Sequence, residues 1–391
     1  MCCSEKTYLY QFIPREFEYL TQTKKIPYKG INLKTDYLIN IMHELILRFY
    51  FTNENIHNLY SGILREKYGK HYNYYIEYLV EIKFMFMTSN YYVGKKAKTF
   101  KLNITDLDNI RCKVTDPILL KKHSKDYLYQ NFTSKQNSPI DPELKKVLID
   151  DLYHVEINFE GAKEYLNKAK ASKEIDLSKY LKNMSSIDGI SSGHIFFKFD
   201  EYGRLHTNYT VLKKYIRQNY LTIDGKELME MDITNSQPLF FTHILNDEIG
   251  KENFNEEVKE FVECCKNGLI YDKLVSTFPK KIKTRCDAKI LMYKVLFGDN
   301  KSNTENKLFK SIYPTVYEYI KDLKAASGDY KTISHRLMKM ESQTIYNNIV
   351  KDIKNKFPHI KLFTVHDSIV FPTMYKEEVG IIFRNHMKKI K

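Results

Sequence analysis

The 391-residue chain contains no tryptophan, no Cys-x-x-Cys pair and no run of 18 apolar residues. The last absence argues against a membrane-spanning helix. The first dozen residues lack an apolar run behind a basic patch, so no secretory signal is expected. Cysteines stand only at positions 2, 3, 112, 264, 265 and 286, and no Cys/His cluster has zinc-finger spacing. They read as reduced thiols in a cytoplasmic protein. The missing tryptophan also qualifies the 31 Tyr and 23 Phe. Lys, Asn, Ile, Tyr and Phe have AT-rich codons and Trp does not, so this aromatic excess reflects codon composition before it reflects base stacking.

What remains is a soluble composition, 43% apolar and 28% charged, in a chain long enough for two or three cores. The formal charge of +14 favours a polyanionic partner, weakly on its own.

Helical spacing of apolar residues marks 37–51, 58–68 and 73–83, the last two broken at Gly69. Two apolar runs then flank Gly94, Lys95, Lys96 and Lys98, which predicts a basic β-hairpin. Three helices followed by such a hairpin resemble a winged-helix DNA-binding module. That resemblance implies that 73–83 enters a groove and that Lys95, Lys96 and Lys98 touch phosphates. The plainer alternative is a helical core with a solvated hairpin. Residues 104–190 read as mostly helical, thumb-like or a linker, and the turn-rich stretch 185–193 predicts the main boundary. The expected organisation is therefore 1–103, 104–190 and 191–391.

Beyond that boundary the texture changes. Residues 194–199, 200–203 and 204–209 read as strand, turn and strand. A strand ends at Asp232, and Asn235 or Ser236 is placed to cap the helix that follows. Helices are expected over 280–297, 336–356 and 376–388. Residues 360–371 read as a hairpin whose tight turn carries Asp367.

Arg285, Lys289, Tyr293 and Phe297 stand four residues apart, with Gly298 closing the series. Each such step drifts only about 40° around a helix, so the four side chains form one stripe about 18 Å long. Cations hold phosphates and flat rings hold bases, and a nucleoside triphosphate presents those groups in that order. Asp232 and Asp367, far apart in sequence but each at a strand end, supply carboxylates. Phosphoryl transfer needs charge neutralisation and in-line positioning more than covalent chemistry. Two Mg²⁺ ions (or Mn²⁺) held by a few carboxylates and substrate oxygens provide the first. Either aspartate alone reads as a turn or cap residue, and the basic stripe alone reads as an amphipathic helix face. Only together do they point to a nucleotide.

In order, the set is Asp200-x-x-Gly203-Arg204, Met231-Asp232, Arg285-x₃-Lys289-x₃-Tyr293-x₃-Phe297-Gly298 and Val365-His366-Asp367-Ser368. It resembles the superfamily of family A DNA polymerases and phage-type single-subunit RNA polymerases, over residues 194–391. The resemblance implies an α+β right-hand polymerase, with an antiparallel palm sheet and helical fingers behind a mainly helical N-terminal region. It implies Asp232 and Asp367 as metal ligands, and Arg285 and Lys289 on the triphosphate of a dNTP or NTP. Tyr293 would lie near base and sugar, and Phe297 and Gly298 near the template base. It also implies that Arg204 and Gln343 contact nucleic acid and that His366 supports the primer end.

Departures from the family bear on the sugar. The DNA enzymes place a glutamate five residues after the first aspartate, as a gate against ribose; here Gln237 stands there. Phe297 replaces a tyrosine and has no hydroxyl to pair with that gate. The turn reads His-Asp-Ser, as in the RNA enzymes, yet the bulky gate and the short gap from Arg204 to Asp232 favour DNA synthesis. No set of exonuclease carboxylates is found in 1–190, so no proofreading is expected, and the short polymerase half implies low processivity without a partner. Three alternatives stay open. They are an RNA polymerase or primase, a template-independent terminal transferase, and a non-catalytic nucleic-acid-binding protein. The presence of both aspartates and both cations argues against the last.

Overall fold

Residues 7–52, 54–89, 98–103, 109–124, 139–301 and 303–390 are described by a computed structural model. They form many helices and small antiparallel sheets of two or three strands. The chain divides into two units: 1–135 with 153–197 and 207–225, and 136–152 with 198–206 and 226–391. These do not coincide with the divisions expected near 103 and 190.

In the first unit, helix Thr35–Thr52 is followed by strand Ile56–Leu59, helices Ser61–Tyr68 and Tyr72–Glu81, and strands Met85–Ser89 and Lys98–Leu102. The last strand is central, with Ile56 opposite Lys101 on one side and Met85 opposite Leu102 on the other. Leu38, Met42, Leu79, Phe84 and Phe100 are buried in this unit. Lys98 is exposed. Lys95 and Lys96, and with them the hairpin tip, lie outside the described residues. Helix Tyr72–Glu81 contains no Lys or Arg. Its Glu77 accepts from Lys29 Nζ at 2.8 Å and its Glu81 from Tyr28 Oη at 2.9 Å.

The stretch 185–193, expected as a linker, is instead the end of helix Leu177–Ser192. Asp176 caps it at one end, and Gly193 at φ +75° closes it at the other. The small residues serve close packing: a Cβ on Gly189 would stand 2.5 Å from Asn208 Nδ2. Asp188, 2% exposed, bonds the Arg111 guanidinium. Tertiary packing overrides the local turn preference.

In the second unit, a three-stranded sheet has Ser368–Pro372 between Leu228–Asp232 and Phe363–Val365. Phe241, Phe261, Phe309 and Tyr313 form a fully buried aromatic cluster, with edge-to-face pairs such as Phe261–Tyr313 at 5.1 Å. Each such ring contributes roughly 1.5–3 kcal/mol by burial. Helicity is continuous over 332–356, with a π-helical segment at Gln343–Val350 between Thr332–Ser342 and Lys351–Lys356. Helix Pro142–Leu152 joins this unit through Asp151, whose carboxylate meets buried Lys354 and accepts from Leu362 N–H at 3.0 Å.

Candidate active site

Asp232 is the last residue of its strand and lies opposite Ser368. The next residue, Ile233, donates its N–H to the Asp367 carbonyl at 3.2 Å. Asp367 sits in the two-residue turn between Val365 and Ser368, and His366 before it takes φ +54°. Period-2 alternation and this tight turn thus bring two aspartates to one end of one sheet, on strands about 5 Å apart. Asp232 is exposed and Asp367 half-buried.

Ser236 Oγ donates to Asp367 Oδ2 at 2.5 Å. This corrects the expected cap: neither Asn235, at φ +52°, nor Ser236 caps helix Ser236–Ile249 with its side chain. The hydroxyl is engaged by the carboxylate instead. Ser368 Oγ donates to Glu230 Oε1 at 3.0 Å, so a third carboxylate lies on the same strand as Asp232.

The cationic helix runs Arg285–Phe297 and not from 280. Thr284 and Asp287 form a capping box that fixes its start, so Arg285 occupies the first helical position. Ala288, Leu291, Met292, Val295 and Leu296 bury one face. The four-residue stripe occupies another. Arg285 and Lys289 are exposed, and Tyr293 and Phe297 are half-buried with rings stacked at 5.2 Å and 19°. Lys289 Nζ stands 5.5 Å from the Tyr293 ring centroid, and the Arg285 guanidinium meets Asp272. Burial pushes the Tyr293 hydroxyl pKa up; Lys289 pulls it down, and the charges of Asp367 and Glu341 add to the rise. Tyr293, in the middle of the stripe, thus lies within electrostatic reach of Asp367. At its end, a Cβ on Gly298 would stand 2.4 Å from the Lys294 carbonyl oxygen.

Arg204 closes a turn built by Asp200. One Asp200 oxygen accepts from the Tyr202 and Arg204 N–H groups at 3.0 and 2.9 Å, the other meets His206 Nε2 at 2.9 Å, and Gly203 takes φ +88°. Burial works to raise the Asp200 pKa, but these bonds outweigh it and hold it low. The His206 ring lies 6.4 Å from that of His366, which is exposed.

The Arg204 guanidinium, expected on nucleic acid, donates to Glu341 Oε1 at 2.6 Å. The other Glu341 oxygen accepts from Gln237 Nε2. Glu341 is 2% exposed and Gln237 5%. Burial pushes the Glu341 carboxyl up to about 7; Arg204 pulls it back, and the charge of Asp367 adds to the rise. Gln343 is exposed and opens the π-helical segment, a geometry often found at functional sites. Glu341, Glu230 and the role of Ser236 are not marked in the sequence. A glutamate on a helix reads as solvent-facing, and only the fold buries Glu341.

Asp232 and Asp367 offer oxygen donors suited to a hard divalent cation that keeps water and substrate oxygens as its other ligands. Among the described residues, no group of three or more His, Cys, Asp or Glu has the arrangement of a protein-only metal cage.

No family model matches the chain, and no curated protein matches it. Among solved structures it is similar to the POL domain of Pol1 from M. smegmatis, in complex with DNA primer-template and dNTP. The identity is 14% and the TM-score 0.28, over 68% of this chain and 60% of that one. The chain thus spans less than two thirds of that structure, and the functional reading rests on the site's own geometry.

Proposed function

We propose that the second unit is a template-directed nucleotidyltransferase, a DNA polymerase of family A type without proofreading. It would join dNTPs to a primer 3′-hydroxyl. The observation that carries this reading is the placement of Asp232 and Asp367 at one sheet end, with Asp367 within electrostatic reach of Tyr293 in the cation-to-aromatic stripe.

On this reading the three-stranded sheet is the palm and helix Arg285–Phe297 belongs to the fingers. Asp232 and Asp367 would hold Mg²⁺, which supplies charge neutralisation and lowers the cost of ionising the attacking hydroxyl. Ser236 orients Asp367. Arg285 and Lys289 bind the triphosphate; the Arg285 pair with Asp272 is exposed, so little free energy opposes its exchange for a phosphate. The Tyr293–Phe297 stack offers a face to the base. Gln237 stands beside the sugar, His366 by the primer end, and Gln343 by the template.

In the first unit, the order helix, strand, helix, helix, strand, strand supports a winged-helix reading by analogy of fold. Helix Tyr72–Glu81 is a poor groove reader, since Glu77 and Glu81 would meet phosphates. Lysines of the hairpin, Lys98 among them, are the better phosphate contacts.

Primer extension with dNTPs and rNTPs, on DNA and RNA templates, with and without primer, tests the reading. The expected result is templated dNTP incorporation, abolished by Asp367→Asn with nucleic-acid binding kept. Incorporation of rNTPs alone would move the reading to an RNA polymerase, and untemplated addition to a terminal transferase. Undiminished incorporation by Asp367→Asn would overturn the metal assignment.

A further inference from the structure

We infer that Glu341 is a positioning residue that locks the Gln237 side chain beside the catalytic aspartates and so sets the discrimination between sugars. The inference rests on the nucleotidyltransferase reading and extends it to a residue that no motif marks.

Gln237 directly follows Ser236, whose hydroxyl bonds Asp367. A sugar one ester bond away from a phosphate held at Asp232 and Asp367 therefore lies close to Gln237. Bulk alone does not make a barrier, because a glutamine side chain has three rotatable bonds and about 2 kcal/mol of rotamer freedom. Something must hold it. Phe297 has no hydroxyl with which to do so. Glu341 supplies the hold from a different helix, 104 residues away in sequence.

A carboxylate is specifically suited to this place. Both groups it faces, the Gln237 amide and the Arg204 guanidinium, are donors, and a carboxylate offers an acceptor to each. It also fixes which way the amide points. With Nε2 committed to Glu341, the Gln237 oxygen faces elsewhere, and Oε1 is buried with no hydrogen-bond partner among the described residues. A buried amide oxygen left unpaired costs roughly 1–3 kcal/mol. Arg204 Nε is likewise buried with no hydrogen-bond partner among the described residues, on the other side of the same carboxylate.

The test is an exchange. In Glu341→Gln the acceptor-only carboxylate becomes an amide that both donates and accepts, so the Gln237 amide can pair through either Nε2 or Oε1 and its orientation is no longer fixed. In the double variant Q237E/E341Q, a carboxylate and an amide face each other again in exchanged positions, and the amide oxygen at 341 remains for Arg204. Because both variants replace Glu341, loss of a merely structural carboxylate at that position affects both.

The readout is the ratio of kcat/KM for dNTP to that for rNTP on one primer-template, with kcat and KM resolved separately. In E341Q the ratio is expected to fall about tenfold or more, within the 10–200-fold range of small pocket changes, mainly through a better KM for rNTP. Q237E/E341Q is expected to recover most of that loss. Glu341→Asp, which keeps two acceptors on a shorter stem, is expected to lie between. An unchanged ratio in E341Q, or equal losses in E341Q and the double variant, would overturn the inference. Should the wild-type protein extend no primer with either nucleotide, the proposed function falls and this inference falls with it. Extension by wild type with full discrimination by E341Q removes the inference alone.

Discussion

Lys324 Nζ donates to the carbonyls of Val295 and Gly298, at 2.6 and 2.7 Å, and so closes the C-terminal end of the helix that carries Arg285 and Lys289. Lys324 is 3% exposed, and burial pushes its pKa down to about 8. A cation here satisfies carbonyls left over at the helix end and complements the helix dipole. Lys324→Met keeps the bulk and removes the donor, leaving buried carbonyls unpaired at roughly 1–3 kcal/mol each. The expected outcome is a loss of about 2 kcal/mol in unfolding free energy, with a raised KM for nucleotide as Phe297 and Gly298 lose their anchor. A denaturation midpoint equal to wild type would contradict the capping role.

Lys289 stands one turn from Tyr293 and is exposed, and no carboxylate lies within ion-pair distance of it among the described residues. Its charge is therefore available to a phosphate at small cost. Lys289→Ala is expected to raise the apparent KM for nucleotide by about tenfold, the worth of one charge-assisted bond, with primer-template affinity nearly unchanged. Comparing steady-state extension with template binding by anisotropy separates the two. Equal effects on both would make the stripe a general basic face.

The Ser236–Asp367 bond fixes one carboxylate oxygen and leaves the other for a ligand. A hydrogen bond to a charged group is worth about 1.5–3 kcal/mol, and part of that is positioning. Ser236→Ala is expected to lower kcat by roughly tenfold, with partial rescue by Ser236→Thr, which restores the hydroxyl. Single-turnover extension measures it. A Ser236→Ala enzyme at full rate would mean that Asp367 is held by its turn alone.

The hairpin lysines make a different kind of prediction. If Lys95, Lys96 and Lys98 bind phosphates, the triple alanine variant should flatten the salt dependence of duplex binding by about 0.9 in log–log slope for each phosphate no longer neutralised. Sequence preference should be unaffected, since phosphate binding positions a protein and does not specify a site. An unaltered slope assigns these lysines to an ordinary solvated hairpin.

How much of the fold and the site is legible in the sequence follows from the range of the interactions. The strand ending at Asp232, the turn at Asp367 and the stripe from Arg285 to Phe297 rest on local periodicity and turn chemistry, which sequence displays. The cationic helix starts five residues later than its spacing suggests, because Thr284 and Asp287 act through a capping box within a lysine-rich stretch. Residues 185–193 carry the Ser and Gly signals of a turn, although here those small residues let Asn208 pack closely on a helix. Least legible is the bond from Arg204 to Glu341, which spans 137 residues. Its partners look like two surface charges until the fold buries Glu341 against a half-buried Arg204.

That burial gives Glu341 a pH signature with a definite sign. Its carboxyl is raised from 4.5 to about 7 in the folded chain, with burial outweighing Arg204. Below about 4.5 both folded and unfolded chains hold the proton, and above about 7 neither does. Between those values the folded chain keeps a proton that the unfolded chain has lost, so this group's contribution to stability declines as pH rises. Glu341→Gln has no proton to lose there. The wild-type minus Glu341→Gln difference in unfolding free energy should therefore fall across pH 4.5–7, approaching about 1.4 kcal/mol per unit in mid-window, and level off above it. Broken bonds to Arg204 or Gln237 add a nearly constant offset and do not create the slope. Urea unfolding of both proteins at intervals from pH 4.5 to 8 measures the difference directly. A flat difference over that range would mean that Glu341 ionises as an ordinary carboxylate, and that Arg204 offsets the whole cost of its burial.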